Sequence, residues 1–218
     1  MVEQKRFALF LATSDSAFVK KTYGGYFNVF VSTFGEEGEQ WDLFRVIDGE
    51  FRRKILISTM DSLSVEASMT LSILCRIKGG KIGRASRGAD MGLRSITMAK
   101  DAVKPGGFFG EKTPNSLAII KCHQDEVLEL PKSATLLAYS DKCNVEMASF
   151  GNHFLSIQGH PEYNKEILFE IIDRVVNMKL MEQDCADKAK ETMKNREPDR
   201  KQWQTLCKSF LKGRSEQL

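Results

Sequence analysis

Apolar positions along the chain fall into three patterns, each predicting a different kind of element. The run Phe7-Ala8-Leu9-Phe10-Leu11-Ala12 is continuous, as in a strand buried on both faces of a parallel sheet. Asp42 to Ile47 reads as a second parallel strand, stopped at Asp48-Gly49. Between them, Ser14 or Asp15 is placed to cap a helix or turn from Ala17 to Tyr23 that Gly24-Gly25 interrupts. Asn28 to Phe34 fits a short helix about as well as a strand. The middle of the chain is strand-rich, with runs at Ser95 to Met98, Leu117 to Lys121, Leu136 to Tyr139, Val145 to Ser149 and His153 to Gln158, punctuated by Gly and Pro turns. Past Pro161 the period becomes helical: Ile167, Leu168, Ile171, Ile172, Val175, Val176 and Leu180 mark an amphipathic helix from Asn164 to Leu180, with Asn164 as its cap. Two more helices follow, Glu182 to Asn195 and Asp199 to Lys212, the last started by Pro198 and ended by Gly213.

One stretch breaks the pattern. Arg53-Lys54-Ile55-Leu56-Ile57 opens like a strand, yet Ser58 to Ser72 has neither clean alternation nor a helical stripe.

The 218 residues suit an α/β domain over residues 1–180 followed by a C-terminal helical extension over 181–218. Lys and Arg number 32 against 29 Asp and Glu, and the resulting +3 is spread along the chain, which gives no nucleic-acid footprint. The five cysteines (Cys75, Cys122, Cys143, Cys185, Cys207) are odd in number and irregularly spaced without C-x-x-C, so neither a disulfide framework nor a metal site is expected, and a cytosolic location is. The apolar stretch Phe7 to Thr13 is too short for a signal segment, and no run approaches the ~20 residues of a membrane span.

Candidate chemistry centres on Ser156-Ile157-Gln158-Gly159-His160-Pro161-Glu162-Tyr163, a strand ending in a histidine with a carboxylate two residues on. A histidine oriented by a nearby Glu is the base half of a nucleophilic pair, because the acid fixes tautomer and ring orientation. Cys122-His123 does not supply the other half, since neighbours on a strand face opposite sides. Gly79-Gly80 and Gly83 lack the context of a phosphate loop and read as a turn.

In this order and spacing, the segments F-A-L-F-L-A-T, K-T-Y-G-G-Y, F-G-E-E-G-E-Q-W-D, G-G-K-I-G-R-A, I-K-C-H-Q-D-E-V, I-Q-G-H-P-E-Y-N-K-E-I-L and D-R-K-Q-W resemble the class I glutamine amidotransferases, and within them the γ-glutamyl peptidases that plants use on glutathione conjugates. The resemblance implies a flavodoxin-like, doubly wound α/β sheet with C-terminal helices. It implies a cysteine in a G-x-C-x-G elbow that attacks a γ-glutamyl carbonyl, with His160 as base, Glu162 as orienting acid and backbone N–H groups as oxyanion hole. Tyr23, Gly24 and Gly25 match positions lining the substrate pocket, and no cofactor or metal is implied.

No G-x-C-x-G exists in this chain. Cys75 lies nearest in order, but Leu74 and Arg76 flank it, and it matches a helical position after the elbow. Choosing permitted codons for I-L-I-S-T-M-D-S-L-S-V-E-A and regrouping the bases yields L-N-K-Y-D-G-F-V-I-S-G-S, similar to the family's oxyanion strand and turn. Residues from about Arg52 to Ser72 are therefore expected to be a frame-shifted translation. The nucleophile strand and elbow are then skipped before the frame resumes near Ile73, which truncates the central sheet. The expected protein is a γ-glutamyl peptidase by descent that is inactive as written; the alternatives are a non-catalytic binder of γ-glutamyl ligands and a glutaminase-type amidotransferase subunit.

Overall fold

The computed structural model describes residues 6–50, 62–63, 71–72, 75–151 and 154–212. Most of the anomalous stretch, the start of the last sheet strand at His153 and the helix stop at Gly213 lie outside the described residues.

Strand β1, Arg6–Leu11, buries Phe7, Ala8, Leu9 and Leu11, and pairs in parallel with β2, Gln40–Arg45, from Arg6↔Gln40 to Leu11↔Arg45. Helices α1 (Ala17–Tyr23) and α2 (Tyr26–Phe34) form the crossover. Ser16, not Ser14 or Asp15, caps α1: its Oγ accepts the Val19 N–H at 3.1 Å. Asp15 instead accepts the N–H of Tyr26 at 2.7 Å and so serves α2, one helix further on. The segment that fitted helix and strand alike is helical because it buries Tyr26, Val29, Phe30, Thr33 and Phe34 on one face.

The larger sheet runs β3 (Ser62–Leu63), β10 (Phe154–Ile157), β9 (Met147–Phe150), β8 (Ala134–Tyr139), β5 (Asp90–Met98), β6 (Ser116–His123) in spatial order. Its pairs are antiparallel except β3 with β10. The free edge of β6 meets the end of β10 through an antiparallel bridge between Ile120 and His160, so the sheet curls back upon itself. The parallel part is short: β1–β2 forms its own sheet, and the two-residue β3 joins β10 while lying beside β1. A separate ribbon pairs β4 (Lys81–Arg84) with β7 (Asp125–Glu129), so Gly83 sits in a strand and not in the expected turn.

Helix α3 is the single turn Lys100–Val103. Three helices close the chain: α4 (Lys165–Asn177), α5 (Gln183–Glu191) and α6 (Arg200–Leu211). Asn164 caps α4, its Oδ1 accepting the Ile167 N–H at 3.0 Å. Helix α6 docks on β6 through Ala118, whose carbonyl accepts from Trp203 Nε1 at 2.9 Å and whose N–H donates to Asp199 Oδ2 at 2.6 Å. Trp203 is fully buried in the same core as Phe30, Phe34, Leu9 and Ile120. Cys75 lies elsewhere, in a satellite cluster with Leu71, Val127, Val145, Ala148 and Phe150.

Candidate functional site

The turn that follows β10 is fixed by one backbone bond that extends its pairing with β9 and by another to the distant strand β6. The Gln158 N–H donates to the Glu146 carbonyl at 2.7 Å, and the His160 N–H donates to the Ile120 carbonyl at 2.8 Å. Between them Gly159 lies flat on Ile119: a Cβ there would stand 2.7 Å from Ile119 Cδ1, so only glycine allows the approach. Tyr163 N–H closes the turn onto the His160 carbonyl at 3.3 Å.

This geometry brings His160 and Glu162 together, both buried, with Nδ1 2.9 Å from Oε1. A carboxylate only accepts, so the proton sits on Nδ1 and the Nε2 lone pair is the basic one. Among the described residues Nε2 makes no hydrogen bond, and no cysteine is bonded to the imidazole. The Tyr163 ring lies parallel to the imidazole, with centroids 4.1 Å apart and planes at 2°, which restricts ring rotation. Tyr26 of α2 packs on Tyr163 at 5.8 Å, and Arg200 reaches the Glu162 carbonyl at 3.4 Å.

Tyr23, Gly24 and Gly25 sit at the α1–α2 junction. The Tyr23 hydroxyl donates to Glu166 Oε2 at 2.6 Å and accepts from Asn164 Nδ2 at 3.0 Å, which ties the junction to the residues just after Glu162. Gly24, at φ 75°, ends α1 in the left-handed conformation. Gly25 lies against Asp15, whose Oδ2 takes Arg45 Nη2 at 2.7 Å.

The thiols are poorly suited to attack. Burial pushes Cys75 up to about 11 and Cys143 up to about 11. Burial and then the Glu162 carboxylate push Cys122 up to about 12, and the same two causes raise Cys207 further. A nucleophilic cysteine needs the opposite environment, one that favours thiolate. Cys185 is exposed on α5. Among the described residues no His, Cys, Asp and Glu cluster is arranged to hold a metal, and no helix is long and apolar enough to cross a membrane.

Behind the turn lies a polar interior that sequence reasoning did not find. Lys121, fully buried on β6, places Nζ 2.7 Å from Asp90 Oδ2 and 2.5 Å from Glu146 Oε1. Arg94 Nε pairs with Asp90 Oδ1 at 2.7 Å, and Ser140 Oγ donates to Glu146 at 2.5 Å. Its one visible signal was a lysine inside the otherwise apolar run Leu117 to Cys122.

Searched against models of known protein families, the chain matches none. Among individual proteins it is 69% identical to γ-glutamyl peptidase 5 of Arabidopsis thaliana over 99% of both chains, and 62% identical to γ-glutamyl peptidase 3 of the same plant over 97% of this chain and 98% of that one. The alignment with γ-glutamyl peptidase 5 spans 248 positions, whereas 99% of 218 residues is about 216, so about 32 aligned positions have no residue in this chain. The fold is similar to that of a glutamine amidotransferase from Thermotoga maritima, with a TM-score of 0.65 at 16% identity over 99% of this chain and all of that one. A glutamine amidotransferase from Methylobacillus flagellatus gives 0.52 at 12% identity over 80% of this chain and 75% of that one. The near full-length identity shows the family, and the curled sheet with its flanking helices shows the fold: the chain belongs to the γ-glutamyl peptidases and is folded like a glutamine amidotransferase.

Proposed function

We propose that this chain is a γ-glutamyl peptidase that has lost its nucleophile and retains the base side of the site as a binding surface for γ-glutamyl ligands, glutathione conjugates in particular. The observation that carries this is the buried His160–Glu162 pair with no thiol bonded to it, in a chain without a G-x-C-x-G elbow. The roughly 32 positions that the chain lacks against γ-glutamyl peptidase 5 support a skipped segment, of which the elbow is the proposed part. The peptidase chemistry needs a thiolate to form a γ-glutamyl thioester that water then cleaves. With no attacking sulfur, His160 has no proton to accept, and a site missing a triad member keeps at most roughly 10³–10⁴ over water. The five free thiols support a reducing, cytosolic setting.

The test is calorimetric titration of the folded protein with an S-substituted glutathione, followed by a hydrolysis assay on the same sample. Saturable binding without release of glutamate, lost in His160→Ala, is the expected result. Turnover would overturn the proposal and identify a working nucleophile. A cooperatively folded protein that binds nothing would remove the ligand-binding half.

A further inference from the structure

We infer that Lys121 is a positioning residue for His160: its buried ammonium closes the curled sheet at the point where the His160 turn leaves it. Two carbonyls hold the turn, those of Glu146 and Ile120, on either side of Gly159. Lys121 follows Ile120 directly in β6, and its side chain pairs with the carboxylate of Glu146 itself. The ion pair therefore joins the two backbone acceptors on which the position of His160 depends.

The backbone joins these two carbonyls directly only through the His160 turn itself, by way of the β9–β10 pairing and the Ile120–His160 bridge, and Lys121 adds a side-chain link that does not pass through the turn. In the sheet, β8 and β5 stand between β9, which begins just after Glu146, and β6, so Lys121 spans the interior of the curl. The surrounding charge fixes its place: Asp90 lies on the neighbouring β5, opposite His123, and is itself held by Arg94 at 2.7 Å and by Lys142 at 3.6 Å. Burial alone would raise the Asp90 carboxyl, but Lys121 and then Arg94 hold it down at about 2, so Asp90 stays charged.

Such an arrangement is a poor device for stability, because desolvating a buried pair consumes most of its Coulombic gain. It is a good device for geometry, since an ammonium between two carboxylates tolerates little displacement. Apolar residues of the same volume would fill the space without fixing the separation of β6 from Glu146.

The test is amide hydrogen exchange, with the imidazole Nδ1–H resonance of His160, on the full chain and on Lys121→Met/Glu146→Leu. That pair of changes leaves Asp90 compensated by Arg94 and Lys142. Expected is a melting temperature close to that of the parent, with exchange at Gln158 and His160 faster by at least about tenfold relative to β5 amides such as Leu93, and a broadened His160 resonance. Unchanged exchange at Gln158 and His160, or an increase shared by the whole sheet, would overturn the inference. If the double variant does not fold, Glu146→Gln is judged by the same criterion, since it keeps the backbone carbonyl and leaves Lys121 on Asp90. The exchange is read without ligand, so failure here leaves the binding proposal standing.

Discussion

The base side and the thiol side of the molecule are built to different standards. His160 is held by its backbone bond to Ile120 of β6, by the bond of Gln158 to Glu146 two residues earlier, by a carboxylate at 2.9 Å, a parallel aromatic ring and a glycine fitted to Ile119. Cys75, which lies nearest in order to where the resemblance places the elbow, is one of six buried side chains in a satellite cluster, where burial disfavours its thiolate. A catalytic pair needs both halves placed to within a fraction of an ångström. Retained precision on one side therefore says nothing about turnover; it says that the turn's anchors were not in the segment that is gone.

The comparison predicts most strongly that the base side fails when β6 is loosened. Trp203→Ala empties the core behind Ala118 and removes the indole bond to its carbonyl. A loss of about 3–5 kcal/mol is expected by urea denaturation, with the His160 turn among the first amides to exchange. A loss under about 1 kcal/mol would show that α6 does not brace β6.

Acid attacks the same side next. His123 shares the Lys121 face of β6, and burial, with the Lys121 charge second, lowers it from 6.5 to about 4, while Asp90 pulls the other way. From pH 6.5 down to about 4 the unfolded imidazole takes up a proton that the folded one refuses. Stability is therefore full above 6.5 and falls through that window by about 3 kcal/mol in all. Below it, Asp90 adds a loss of about 2 kcal/mol as pH falls from 3.8 towards its folded value of about 2. His123→Asn should flatten the first slope and leave the second; equal slopes in both proteins would assign the acid response elsewhere. Gly159→Ala is a smaller and more local insult, about 1–3 kcal/mol of overpacking against Ile119. It should displace the His160 resonance while leaving the α1 amides unmoved.

The difference between the two sides was half legible in the sequence. The continuous run of β1, the helical stripe of α4 and the His160-Pro161-Glu162 turn declare themselves locally, because burial on both faces, amphipathic period and a two-residue spacing are all short-range patterns. Strands β4 and β7 do not: Lys81-Ile82-Gly83-Arg84 and Asp125 to Glu129 form a half-buried ribbon in which the adjacent Glu126 and Val127 are both buried, so no alternation shows. Helix α2 stayed ambiguous because its N-cap is Gly25, and the carboxylate that accepts its first N–H, Asp15, stands eleven residues earlier. Lys121 gave only the oddity of a lysine among apolar neighbours, since its partners Asp90 on β5 and Glu146 just before β9 are distant in sequence.

The smallest effect expected is none at all, and it bears most directly on the thiol side. Cys75, Cys122, Cys143 and Cys207 are all held as neutral thiols by burial, with the Glu162 carboxylate adding to the effect at Cys122 and Cys207. A thiol raised to about 11 is ionised at pH 7 in roughly one molecule in 10⁴, which removes the attacking species before geometry is considered. Moving any of these groups next to His160 would require unpacking it from a core. Iodoacetamide should accordingly label Cys185 first in the native protein, the part-buried Cys122 more slowly, and Cys75, Cys143 and Cys207 only on unfolding. Replacing each cysteine by serine in turn should leave γ-glutamyl hydrolysis at background. A single replacement that lowers a measurable rate would mean that one thiol reaches Nε2 of His160 in solution, and the contrast between the two sides would then describe a site at rest and not one that has lost its nucleophile.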